Sequence, residues 1–160
     1  MIVFWIGLNI IALLIVIIWS LFQGYETKTA LIGKTFSQIA FPFILINFNM
    51  YFLFLLIKKS KVRSTKIKLA KLSKQIMKFH IHIALTAALF IVLHGMMMIR
   101  TYDPLVLTGK LASGYTAFLI FLILLFSGIL RKLKATGKRR RFHYITAFIF
   151  MGGLLFHIFI

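Results

Sequence analysis

A chain of 160 residues that is 61% hydrophobic, with a mean hydropathy of +0.99, is too apolar for a soluble domain and is expected to be an integral membrane protein. Its net charge of +18, from 20 Lys and Arg against the two acids Glu26 and Asp103, would point to nucleic acid in a soluble protein; in a membrane protein positive loops mark the cytoplasmic face, and no nucleic-acid partner is expected. The absence of cysteine excludes disulfides, iron–sulfur clusters, thiolate metal sites and haem attached through Cys-x-x-Cys-His.

Five apolar stretches follow in chain order, at about 2–22, 36–57, 79–99, 111–130 and 142–160, each close to the length that crosses a bilayer. The first lacks a charged n-region and has too long an apolar core for a secretory signal, so a retained helix is expected. The second carries Pro42, Asn47 and Asn49, read as a kink and interhelical hydrogen bonds. The fourth carries Ser113, Gly114, Thr116, Ser127 and Gly128, small residues that suit close helix packing. No linker separates a second domain, so residues 1–160 are expected to form one all-α, five-helix transmembrane bundle.

The connections set the orientation. Nine basic residues lie between Lys58 and Lys78 and seven between Arg131 and Arg141, against only Lys28, Lys34, Arg100 and Lys110 in the other two loops. Basic short loops stay inside, so the N-terminus is expected in the cytoplasm and the C-terminus outside. The expected location is the cell membrane, and the abundance of Lys, Ile and Phe fits a bacterial cytoplasmic membrane.

Two stretches repeat. KFHIHIALTAALFIVLH at 78–94 and RFHYITAFIFMGGLLFH at 141–157 both read basic–Phe–His, three residues, Ala, nine residues, His. His80 and His94 therefore have the spacing of His143 and His157. Fourteen residues return a helix to within about 40° of the starting face and advance it about 21 Å. Each pair thus lies roughly on one face, near opposite leaflets. The third and fifth spans run in the same direction, so side by side they would set His80 opposite His143 near the cytoplasm and His94 opposite His157 near the outer surface. His82 points about 160° away from His80, and Ile145 stands at the equivalent place, so it is expected to be an interfacial polar residue, with replacement of His80 as the ligand the alternative.

Ionisable residues inside a membrane mark function. Catalytic zinc usually takes three protein ligands, often with a carboxylate, and no span here contains Asp or Glu. Haem needs only axial ligands, because the porphyrin supplies four nitrogens. Two opposed imidazole pairs therefore point to two b-type haems, with His80, His143, His94 and His157 as iron ligands. Haem propionates need cations: Lys78 and Arg141 precede the inner ligands by two residues, and Arg100 and Lys110 flank the outer ones.

On these histidines the chain resembles the ferric reductase-like transmembrane domain, the haem-bearing core of ferric reductases and NADPH oxidases, over roughly 36–160. The resemblance implies an oxidoreductase component that moves electrons from a cytoplasmic donor to an outer acceptor such as ferric iron, oxygen or a protein. No dinucleotide-binding pattern occurs in the 160 residues, so a separate flavoprotein reductase is the expected donor. One alternative is a quinol-linked cytochrome b subunit of a membrane redox complex. Another is a small basic pore or assembly protein without haem.

Overall fold

The computed structural model describes residues 2–102 and 108–160. The acid Asp103 lies outside the described residues. Among those residues the chain is entirely helical, and all five helices are long and apolar enough to cross a membrane. They are α1 (Ile2–Phe22), α2 (Lys28–Lys59), α3 (Arg63–Thr101), α4 (Gly109–Leu133) and α5 (Gly137–Phe159). The chain divides into two compact units, one holding α1–α3 and the other α4–α5.

The helices start where the sequence supplies caps. Thr27, Thr108 and Thr136 each have extended backbone, and their hydroxyls accept from the N–H of Ala30, Leu111 and Arg139. Each satisfies a donor that the first helical turn leaves without a partner. The turn from α1 to α2 passes through Gly24 at φ +61°, a left-handed conformation that glycine adopts without strain. Lys34 donates to the Gly24 carbonyl and ties this turn to α2.

Four helices are longer than the apolar stretches. α2 begins at Lys28 rather than near 36, and α3 at Arg63 rather than near 79; α4 covers 109–133 and α5 begins at 137. The basic stretches 58–78 and 131–141 are thus mostly helical, and only short connections around 60–62 and 134–136 remain. Lys and Arg are good helix formers, so hydropathy marks where the apolar surface ends, not where the helix does. The extension of α3 also packs. Leu69 is buried against Met50 and Leu53 of α2, with Leu56, Ile57, Ile76 and Met77 around them. Leu69, Ser73, Ile76 and His80 follow one another at helical spacing, so the seam against α2 runs unbroken into the histidine region.

In the first unit α2 and α3 form an antiparallel hairpin. Phe43 stacks on Phe90, with centroids 6.3 Å apart and planes 5° from parallel. Small Ala40 and Ala87, both buried, sit midway along the seam. α1 joins α2 through a few contacts: Trp5 lies 6.1 Å from Phe52, and the Asn49 amide donates to Asn9 Oδ1 at 2.5 Å. Most other α1 side chains are exposed and apolar, a surface suited to lipid. In the second unit α4 and α5 form another antiparallel hairpin, centred on Phe121 and Phe150 at 5.1 Å.

Candidate functional site

All four repeated histidines are half-buried, and His82 is exposed. His80 and His94 lie on α3, where the His94 ring turns toward α2; His143 and His157 lie on α5 and turn toward α4. What meets each ring follows from the antiparallel packing, in which residue numbers on one helix fall as those on its partner rise.

On the α2–α3 seam, His94 Nδ1 donates to the Gly33 carbonyl at 2.9 Å. Fourteen residues further along α2, the Asn47 amide donates to the His80 carbonyl at 3.3 Å. Gly33 has no side chain where α3 comes closest: a Cβ there would collide with Met98 Cε and stand 3.0 Å from Met97 Cβ. The seam therefore runs Gly33–His94, Ala40–Ala87, Asn47–His80, in steps of seven residues on each helix.

On the α4–α5 seam the same pattern carries hydroxyls. Ser127 Oγ lies 2.7 Å from His143 Nδ1, and Ser113 Oγ lies 2.9 Å from His157 Nδ1. A serine hydroxyl has one proton. Ser127 gives its proton to the Leu124 carbonyl at 2.6 Å, and Ser113 gives its own to the Lys110 carbonyl at 2.9 Å. With the protons so assigned, each hydroxyl oxygen accepts from the imidazole. The next residue is glycine in both cases and lies against the ring: a Cβ at Gly114 would stand 3.0 Å from His157 Cε1, and one at Gly128 3.5 Å from His143 Cε1.

The chemical consequence is a tautomer. The carbonyl partner of His94 requires a proton on Nδ1, which places the basic lone pair on Nε2; at His143 and His157 the same tautomer follows from assigning the serine protons to the helix carbonyls. A second-shell hydrogen bond at one nitrogen is the usual device for preparing the other as a metal ligand. Among the described residues no group of three or more His, Cys, Asp or Glu side chains gathers in one place. Axial ligation of a porphyrin needs none, because the macrocycle provides the other four nitrogens. The donor set fits haem.

The cations differ in their surroundings. Lys78 is exposed, with its ammonium 5.7 Å from the Phe79 ring centroid. Arg141 and Arg100 are exposed. Lys110 donates to the carbonyls of His157 and Ile158 at 2.7 and 3.1 Å, satisfying acceptors at the end of α5. Arg139 Nη1 does the same for Leu130 at 2.8 Å, near the end of α4.

In the sequence Ser113, Gly114, Ser127 and Gly128 read as packing residues. They do sit in a helix seam, but the serines also hold the imidazoles. The signal is present in the sequence: Ser-Gly occurs at 113–114 and again fourteen residues later at 127–128, the spacing of the histidines.

Among the described residues, fold and geometry define a class: an all-helical protein with five potential membrane spans, in which His94 of α3 and His143 and His157 of α5 are held by the neighbouring helix. In comparisons with protein-family models, curated proteins and solved structures, nothing matches this chain.

Proposed function

We propose that this chain is a di-haem b-type cytochrome of the cell membrane, related to the ferric reductase-like transmembrane domains. It carries electrons from a cytoplasmic donor to an acceptor outside. One observation supports this reading above the rest: three of the four repeated histidines hold Nδ1 at 2.7–2.9 Å from an oxygen on the neighbouring helix, an arrangement that suits Nε2 as the ligating atom.

In this reading His80 and His143 hold the inner haem, and His94 and His157 the outer one. Bound haem supplies reversible one-electron iron chemistry, and two imidazoles per iron favour electron transfer over oxygen binding. The chain's own residues do the rest. Helix α2 orients the ring of His94, and α4 orients those of His143 and His157. Lys78 and Arg141 are placed for inner propionates. Arg100 is a stronger outer candidate than Lys110, whose ammonium already serves two carbonyls. A separate acidic flavoprotein is the proposed donor; ferric iron, oxygen or a protein is the acceptor. The N-terminus is cytoplasmic and the C-terminus external.

A quinol-linked cytochrome b subunit is the second reading, and one feature favours it. A shallow pocket of about 170 Å³, open on one side, is lined in the first unit by Trp5, Ile46, Asn49, Met50, Leu53, Leu72 and Ile76. Ile76 lies one turn before His80 on α3, so a lipid-soluble donor seated there would be near an inner ligand.

Absorption spectra of the purified protein, oxidised and then reduced, test the proposal. A six-coordinate, low-spin b-type spectrum that responds to reductant is expected. A colourless protein after expression with adequate haem supply would refute it.

A further inference from the structure

We infer that Ser127 and Ser113 are positioning residues that act on the iron through His143 and His157, one hydroxyl for each proposed haem. The inference rests on the di-haem reading and adds what sets the properties of each centre.

Four observations converge. Each serine is buried, at 0% exposure for Ser127 and 8% for Ser113. Each has a carbonyl of its own helix and an imidazole Nδ1 within hydrogen-bond distance, so that with its one proton on the carbonyl its lone pair is directed to Nδ1–H. Each is followed by a glycine against the same ring. The whole unit, Ser-Gly with its histidine, recurs after fourteen residues on both helices, so the two ends of the α4–α5 seam carry the same device.

An acceptor on Nδ1–H fixes the ring orientation and raises the basicity of Nε2. A more basic axial ligand favours ferric over ferrous iron, and second-shell hydrogen bonding is one of the protein's levers on haem potential. Removing a hydroxyl therefore weakens one ligand of one haem. The midpoint potential of that haem should rise, while the other stays where it was. On α2 the Gly33 backbone carbonyl serves His94 in the same role, and no side-chain substitution can remove it. The serines are thus the places where single substitutions reach the two centres separately.

Two readouts test this. The first is nitrogen NMR of the full chain without haem. His143 and His157 are expected in the Nδ1–H tautomer, and Ser127→Ala should move His143 alone toward a mixture. The second is a spectroscopic redox titration of the haem-loaded protein. Ser127→Ala should raise one of two components, Ser113→Ala the other, and Ser127→Thr, which keeps the hydroxyl, should restore the original value. Ser127→Cys keeps the volume with a poor acceptor and should behave like Ser127→Ala. Full haem content with both potentials unchanged in Ser127→Ala would overturn the inference. So would loss of haem from both Ser127→Ala and Ser127→Cys, because the hydroxyl would then be needed for binding rather than tuning. If the unsubstituted chain binds no haem, the di-haem reading fails, and the tautomer measurement alone decides whether the serines position the rings.

Discussion

The Gly33 carbonyl accepts the Nδ1–H of His94 at 2.9 Å, at a point on α2 with no side chain. The close approach of the helices and the hydrogen bond are one feature. A Cβ at Gly33 would meet Met98 and Met97, so Gly33→Val should force α2 and α3 apart at this end. Overpacking of this kind costs about 1–3 kcal/mol. A lower unfolding temperature in detergent is expected, together with selective loss of the outer haem. Gly114→Ala and Gly128→Ala should differ in the same way. At Gly114 the added methyl stands 3.0 Å from His157, tighter than ordinary contact, whereas at Gly128 the 3.5 Å to His143 is accommodated. Haem content should fall in the first variant and hold in the second.

Ligand substitutions should sort by leaflet. His80→Ala and His143→Ala are each expected to remove the inner haem and leave the outer, and His94→Ala and His157→Ala to do the reverse. Exposed His82 should be replaceable by Ala without loss of either haem. Haem content with redox titration of the five variants checks this. Loss of haem in His82→Ala with retention in His80→Ala would show that His82 is the ligand.

Asn47 and Asn49 lie two residues apart on α2 and serve different neighbours. Asn47 reaches the His80 carbonyl on α3, while Asn49 reaches Asn9 on α1. Interhelical hydrogen bonds in lipid contribute about 0.6–2 kcal/mol. Asn49→Ala should therefore loosen α1 by roughly that amount, seen as faster proteolysis of α1 or faster labelling of a cysteine introduced there, with haem spectra unchanged. Loss of haem in this variant would mean that α1 supports the histidine seams.

An acidic soluble donor would be steered by the basic segments, and steering is screened over about 10 Å at about 0.1 M salt. Reduction by such a flavoprotein should slow as ionic strength rises, and Lys138→Gln with Arg140→Gln should slow it at constant haem content. These two are preferable to Arg139, which holds the Leu130 carbonyl and supports α4. Stopped-flow reduction in vesicles over a salt series separates this route from a quinol arriving through lipid, which should respond little to salt. Fast reduction by quinol alone, and its loss when Trp5 is replaced by Ala, would favour the pocket-based reading.

Much of this was legible in the sequence, for physical reasons. Five apolar stretches are unmistakable because lipid demands continuous apolar surface, and the His80/His94 and His143/His157 repeat is visible because costly residues stand out in such stretches. Helix ends were not legible. Arg63–Lys78 has no long apolar run, yet it stays helical through good helix formers and the Leu69–Ser73–Ile76 stripe against α2. The roles of Ser113 and Ser127 were hidden for another reason. Within α4 they are ordinary small residues, and they become informative only when their spacing is compared with that of the histidines on the antiparallel helix α5.

The most direct test of the central claim is the haem-to-protein ratio by pyridine haemochrome, measured on the intact chain and on the double variant His143→Ala, His157→Ala. Two haems per chain in the first and none in the second are expected. A ratio of zero in the intact chain, or an undiminished ratio in the double variant, would contradict it.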